Sequence, residues 1–119
     1  MQDHLTKLLA LSREIGRPDR RLALLGEGNT STDLGDGTFL VKSSGSSLSN
    51  LDESGVSRVK MAAVLAALDN ETLDDSGVKS VLEASRADAS ARLPSVETFM
   101  HAVCLGEGGA KWIGHCHAE

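Results

Sequence analysis

The first part of the chain carries apolar residues at helical spacing, which predicts an amphipathic helix over residues 4–15. Its apolar face would consist of Leu5, Leu8, Leu9 and Ile15. Asp3 is a candidate N-cap, and Gly16 with Pro18 two residues later is typical of a helix end.

Shorter runs of apolar and β-branched residues predict β-strands separated by turns. Gly35-Asp36-Gly37 has the composition of a tight turn. The flanking segments, Asp33–Leu34 and Thr38–Lys42, are therefore expected to form a hairpin. The other predicted strands are Leu22–Leu25, Val56–Lys60 and Lys111–His117.

Three further helices are predicted in the second half of the chain. The Ala and Leu content of Met61–Leu68 favours a helix, and the apolar positions within residues 76–87 share one helical face. Pro94-Ser95-Val96-Glu97 is typical of a helix start, because proline suits the first turn and serine can cap free N–H groups. This helix is expected to reach Leu105 and end at Gly106.

Two loops rich in small polar residues follow predicted strands, at Gly26–Ser31 and Ser43–Ser47. Their N–H groups and hydroxyls, together with a helix start at Ser95, can bind a phosphate without an excess of basic residues. Ordinary turn chemistry explains either loop alone equally well. Neither has the spacing of a Walker loop or of a dinucleotide fingerprint.

Length and composition indicate one globular domain over residues 1–119, with 40% hydrophobic and 24% charged residues. The net charge of −5 and the lack of a Lys/Arg cluster argue against a nucleic acid or a membrane as partner. The longest apolar run, Met61–Leu68, is too short to span a bilayer, and no signal peptide is evident, so we expect a cytoplasmic protein. Cys104 and Cys116 form no C-x-x-C pair and are expected to be free thiols, with a single disulfide as the alternative.

His115 and His117 form an H-x-H pair, which on a strand would project both imidazoles from one face toward a common metal ion. Glu97 and His101 are four residues apart on the predicted preceding helix, so they share a face near this strand. A carboxylate beside a cation can bind it or move a proton. The plainer interpretations are two exposed histidines and a solvated helix pair, with His101 more typical of a structural histidine than of a ligand.

Four motifs in one order resemble the class II aldolase and adducin family, and the resemblance extends from about residue 5 to the end. They are Gly28-Asn29-Thr30-Ser31, Lys42-Ser43-Ser44-Gly45, Pro94-Ser95-Val96-Glu97 with His101, and His115-Cys116-His117-Ala118. The variants of these motifs are most similar to the aldolase portion of bacterial rhamnulose-1-phosphate aldolases that carry an extra dehydrogenase domain. The resemblance implies an α/β (α+β) fold, in which helices flank a central, mostly antiparallel sheet, and a tetramer with sites at subunit interfaces.

The resemblance also implies roles for individual residues. Glu97 would be the acid/base and a ligand of the resting metal, expected to be Zn²⁺ or another divalent ion, and His115 and His117 two of three metal-binding histidines. The substrate phosphate would be bound by Asn29, Ser44, Gly45 and Ser95. The implied reaction is the cleavage of a ketose phosphate into dihydroxyacetone phosphate and an aldehyde, without a lysine Schiff base.

Two departures from the family pattern change these expectations. Val96 stands where some aldolases have a second phosphate-binding serine. The third histidine ligand is absent from this chain, which we therefore expect to be the N-terminal portion of a family domain. Relatives of the family are also epimerases, dehydratases and decarboxylases of sugar phosphates, and adducin heads are non-catalytic assembly modules, so both remain alternatives. An inactive fragment is a further alternative to the second, because two histidines and one carboxylate make an incomplete site unless another segment completes it. Retention of Glu97 and the two histidines disfavours the second.

Overall fold

A four-stranded antiparallel sheet forms the centre of the computed structural model, which describes residues 1–23, 28–70 and 72–117. The strands are β1 (Asn29–Asp33), β2 (Thr38–Lys42), β3 (Val56–Lys60) and β4 (Trp112–His115). They lie in the order β3-β2-β1-β4, so β1 pairs with both β2 and β4. The expected α/β fold with an antiparallel sheet and flanking helices is confirmed.

The β1–β2 hairpin forms as predicted around Gly35-Asp36-Gly37, and both glycines adopt positive φ angles. The Asp33 carboxylate accepts a bond from the Gly35 N–H at 2.9 Å, and Asp36 accepts one from the Thr38 N–H at 3.0 Å. Carboxylate bonds two residues along the chain are typical of such turns.

In the described ranges, four helices flank the sheet: α1 (Gln2–Ile15), α2 (Met61–Ala67), α3 (Asp75–Ser85) and α4 (Thr98–Ala102). A π-helical turn, Val103–Glu107, continues α4. Short 3₁₀ turns occupy Pro18–Arg20 and Glu53–Gly55. Within the described residues, no helix is long and apolar enough to cross a membrane.

Two apolar clusters hold the helices against the sheet and its adjoining loops. The larger contains Phe39, Val41, Val59, Val64, Ala102 and Leu105, and it joins β2 and β3 to α2 and α4. The smaller, Leu9, Leu48 and Leu51, joins α1 to the loop after β2. Gly114 allows α1 to approach β4, because a Cβ there would lie 2.7 Å from Ile15 Cδ1.

Several predicted boundaries are wrong. Asn29–Ser31 was expected in a loop but forms the buried start of β1, because its polar side chains find partners inside the protein. The helix expected from Pro94 begins at Thr98, since Pro94 bridges Ser43 and the Ser95 N–H donates to Lys42 O at 3.3 Å, which keeps this segment extended.

Other differences are smaller. β4 ends at His115, so His117 lies beyond the strand, where its N–H donates to Leu22 O at 2.7 Å. Asp3 is not a cap, because α1 begins one residue before it. The strand predicted at Leu22–Leu25 falls partly outside the described residues, and Leu22 and Ala23 are not in a strand.

Candidate metal and substrate site

The residues that the sequence motifs single out lie at one end of the sheet. Because neighbouring strands are antiparallel, the start of β1 lies beside the ends of β2 and β4. Asn29 begins β1 and pairs with His115 at the end of β4. The chain leaving β2 carries Ser44 and Gly45, and Pro94 bridges Ser43 within this same region.

Glu97, His115 and His117 converge at this end of the sheet. Each offers one potential ligand atom, and these atoms all lie within 4.8 Å of one another. The imidazole rings of His115 and His117 are 4.9 Å apart between centroids. Glu97 and His115 are about one-third exposed and His117 is exposed, so the cluster is open to a ligand from solvent.

The contact between Glu97 and His115 has the character of two ligand atoms facing one point. Glu97 Oε2 lies 2.5 Å from His115 Nδ1, yet this nitrogen has no partner with hydrogen-bond geometry among the described residues. Two lone pairs brought this close repel each other unless a proton or a cation lies between them. The contact therefore fits an ion pair as well as two ligand atoms that face a common cation.

These donors fit a divalent cation such as zinc. Imidazole and carboxylate are ordinary zinc ligands with bonds of about 2.0–2.2 Å, and three protein ligands with one open position are typical of catalytic zinc sites. Tetrahedral ligand atoms at that bond length lie about 3.3 Å apart. The 2.5 Å and 4.8 Å separations bracket this value, so small side-chain movements suffice.

His101 lies inside the protein beneath this cluster and is not one of its three members. Its ring nitrogen Nδ1 lies 2.5 Å from Ser31 Oγ, and its ring centroid is 6.4 Å from that of His115. Its backbone N–H donates to the Glu97 carbonyl oxygen at 3.1 Å. Burial lowers the pKa of His101 to about 4, against the opposing effect of the Glu97 charge. It is therefore neutral at pH 7, and it corresponds to the structural histidine that the sequence indicated.

The candidate phosphate-binding residues lie on three neighbouring segments. Asn29 Nδ2 donates to Ser95 Oγ, both side chains are buried, and Asn29 Oδ1 has no partner among the described residues. The Ser44 N–H donates to Leu93 O at 2.8 Å. Gly45 adopts a φ of +80°, a conformation that favours glycine.

Two other groups near this site stand in the motifs, but the sequence assigned no role to either. Ser31 holds His101, and its role could be found only by treating Asn29–Asp33 as a strand with alternating faces. Lys42 is buried at the end of β2, where its Nζ donates to Ser46 O at 2.7 Å. Desolvation lowers the pKa of Lys42, partly opposed by the charge of Glu97.

Comparison with known proteins gives a family and three similar structures. The family model of the "Class II Aldolase and Adducin N-terminal domain" matches residues 6–119. The N-terminal class II aldolase domain of a conserved protein from Thermoplasma acidophilum superposes with a TM-score of 0.83, at 32% identity over 97% of this chain and 55% of that one. Among curated proteins the sequence has no match.

Two more distant structures share the fold. YgbL from Escherichia coli, described as a candidate aldolase, epimerase or decarboxylase, gives a TM-score of 0.68 at 23% identity, over 99% of this chain and 45% of that one. An L-fuculose 1-phosphate aldolase gives 0.65 at 18% identity with the same coverage. The chain thus spans about half the length of the structures that it matches.

Proposed function

The chain belongs to the class II aldolase and adducin family, and from this premise we propose that it contributes the metal site of a lyase that cleaves a ketose phosphate. The products would be dihydroxyacetone phosphate and an aldehyde. The observation that carries the proposal is the convergence of Glu97, His115 and His117 within 4.8 Å.

In this proposal, His115, His117 and Glu97 bind a divalent metal ion, most simply Zn²⁺. Such an ion would stabilise the negative charge that develops on the substrate's carbonyl oxygen as the carbon–carbon bond breaks. Asn29, Ser44, Gly45 and Ser95 bind the phosphate of the substrate. The segments that carry the phosphate-binding residues contact each other and the strand of His115. These contacts support one site for the metal ion and the phosphate.

Glu97 moves the proton that cleavage requires. When the bond between C3 and C4 breaks, its electron pair stays on the three-carbon fragment, C3 gains a proton, and the C4 hydroxyl loses one to form the aldehyde. A carboxyl group at Glu97 donates the proton at C3 and accepts it in the reverse direction. The proton released from the C4 hydroxyl passes to solvent, and solvent returns a proton to Glu97 after the three-carbon product leaves. Its partial exposure beside His115 allows it to face both the substrate and the cation.

A second candidate function keeps the same site but changes the reaction. One structure with this fold is described as a candidate aldolase, epimerase or decarboxylase. The three reactions need charge stabilisation at a carbonyl or carboxylate oxygen, and they differ in the bond that breaks. Only aldol cleavage releases dihydroxyacetone phosphate, so product analysis separates them. A non-catalytic assembly role is disfavoured because Glu97, His115 and His117 are retained and lie together.

Metal analysis and one matched pair of variants test the proposal. The protein is purified without a histidine tag, its metal content is measured, and a panel of ketose 1-phosphates is assayed for dihydroxyacetone phosphate. We expect one divalent ion per chain and a large loss of activity in Glu97→Gln. Glu107→Gln, at an exposed glutamate on the following turn, is the control and should remain active.

Two outcomes distinguish the proposal from its alternatives. A protein without stoichiometric metal, whose activity is unchanged in Glu97→Gln, contradicts the mechanism. A metal-containing protein that inverts or decarboxylates the substrate without releasing dihydroxyacetone phosphate favours the second candidate. Sedimentation analysis of the same sample tests the tetramer that the family resemblance implies.

A further inference from the structure

A polar groove of about 290 Å³ adjoins the loop after β2, on the side where Arg92 approaches it. The residues of the groove that matter here are Gly45, Ser46, Ser47, Asp52, Ser54 and Arg92. Gly45 belongs both to this groove and to the candidate phosphate site. The groove therefore extends that site toward Arg92.

Two basic side chains bind carbonyl groups of the Ser43–Ser47 loop from different directions. Lys42 Nζ donates to Ser46 O at 2.7 Å, and Arg92 Nη2 donates to Ser44 O at 3.2 Å. These bonds direct the Ser44 and Ser46 carbonyl oxygens toward cations. The N–H groups of the same two peptide units, on Gly45 and Ser47, are the backbone donors that this loop offers to an anion.

The Gly45 N–H is available for such an anion. Within residues 1–23, 28–70 and 72–117, neither a backbone nor a side-chain acceptor bonds this N–H. Gly45 has a φ of +80°, and a Cβ built on it would lie 3.5 Å from Arg92 Nη2. The positive φ favours glycine here, and the guanidinium group lies in contact range of this part of the loop.

Arg92 also has donors to spare. Arg17, Arg20 and Arg58 each bind a carboxylate, whereas Arg92 forms no ion pair within the described part of the chain. Its guanidinium group is exposed and carries five N–H donors, of which the Ser44 carbonyl uses one. Planar donors of this kind bind phosphate through two bonds at once.

An acidic neighbour limits where an anion would lie in the groove. The Asp52 carboxylate accepts bonds from the Ser54 N–H and hydroxyl and repels an anion from its side. The Gly45–Arg92 side is therefore the favourable part of the groove.

We propose that Arg92 is an additional anion-binding residue that holds the substrate phosphate together with the backbone N–H of Gly45. The inference rests on the proposed function and narrows it, because it assigns a phosphorylated substrate to this chain despite the missing hydroxyl at Val96. The guanidinium charge replaces a hydroxyl contact by a stronger, charge-assisted bond.

Inorganic phosphate is the probe for a binding test by titration calorimetry in a buffer without phosphate. Arg92→Gln should weaken phosphate binding about tenfold or more, the loss expected for one charge-assisted hydrogen bond. Arg92→Lys keeps the charge but not the paired donors, so its phosphate affinity should lie between those of Arg92→Gln and the unchanged protein. Arg20→Gln, at an exposed arginine in the turn after α1, is the matched control and should bind as the unchanged protein does.

A kinetic comparison gives an independent readout. Arg92→Gln should lower kcat/KM for the phosphorylated ketose far more than for the same ketose without phosphate, with metal content unchanged. Equal phosphate affinity in Arg92→Gln and the unchanged protein overturns the inference, as does an equal effect on both substrates. Failure of the proposed function looks different, because the unchanged protein would then lack metal or tolerate Glu97→Gln.

Discussion

Replacement of His101 should remove a large part of the pH dependence of stability. His101 is fully buried with Nδ1 against Ser31 Oγ, and its pKa is held near 4 by burial, below the ordinary value of 6.5. In the unfolded chain the imidazole binds a proton as the pH falls below about 6.5, whereas in the folded protein it stays neutral until about pH 4. Acid therefore favours the unfolded state.

The magnitude follows from these two pKa values. At pH 5.0 the unfolded imidazole is almost fully protonated, and the folded one is protonated to roughly a tenth. The stability that His101 contributes is fully present above about pH 6.5, and about 2 kcal/mol of it is lost between pH 7.5 and pH 5.0. The loss continues as the pH falls toward the folded value near 4 and then stops.

Urea denaturation at several pH values between 7.5 and 5.0 measures this effect. A chelator is present throughout, so that release of a metal ion in acid does not add to the slope. His101→Gln keeps an amide that can bond Ser31 but cannot titrate. Between pH 7.5 and pH 5.0 its free energy of unfolding should therefore fall by about 2 kcal/mol less than that of the unchanged protein. Carboxylates contribute to both proteins and cancel in the comparison.

The difference between the two pH profiles decides the prediction, whatever the absolute stability of His101→Gln. Parallel profiles would show that His101 titrates alike in the folded and unfolded states. The assignment of His101 as a neutral, buried residue would then be refuted. A profile that is steeper in the variant would also contradict it, because the variant lacks a group whose protonation in the unfolded chain lowers stability in acid.

Three further substitutions test the packing and the site. Phe39→Ala should cost about 3–5 kcal/mol in urea denaturation, because Phe39 is fully buried in the larger cluster, and a cost below 1 kcal/mol would contradict that packing. Ser31→Ala leaves His101 Nδ1 unpaired and should cost about 1–3 kcal/mol, with the exposed Ser49→Ala as a near-neutral control in the same assay. Val96→Ser should leave the melting temperature unchanged at this exposed position and tighten phosphate binding in calorimetry, and unchanged or weaker binding would argue against a phosphate near residue 96.

The elements with strong local signals could be predicted from the sequence. The glycine turn determined the hairpin, and Val56–Lys60 forms the strand predicted for it. The amphipathic pattern of residues 4–15 forms a helix that begins two residues earlier, at Gln2. In these segments the secondary structure that the residues favour locally also buries their apolar side chains. The periodicity of apolar residues is therefore sufficient to predict the element.

The site was harder to predict, because its segments depend on contacts between distant residues. Pro94 and Ser95 have the residues of a helix start, yet bonds to the chain after β2 keep them extended. His117 was expected to share a strand face with His115, but it lies beyond β4 and reaches the cluster through a bond to Leu22 O. No pattern in the sequence encodes either contact.

Strand β1 shows why polar composition can mislead and what the polarity provides. Asn29, Thr30 and Ser31 resemble a loop, yet each buried side chain bonds a different segment: Asn29 binds Ser95, Thr30 binds Ser12 of α1, and Ser31 binds His101 of α4. Apolar side chains at these positions could pack equally well but would allow helices to slide. Directional bonds fix the start of α4 relative to β1, and β1 in turn pairs with the strand that carries His115. The polar residues therefore set the distance between the carboxylate and the imidazoles, which an apolar strand of the same fold would leave less well defined.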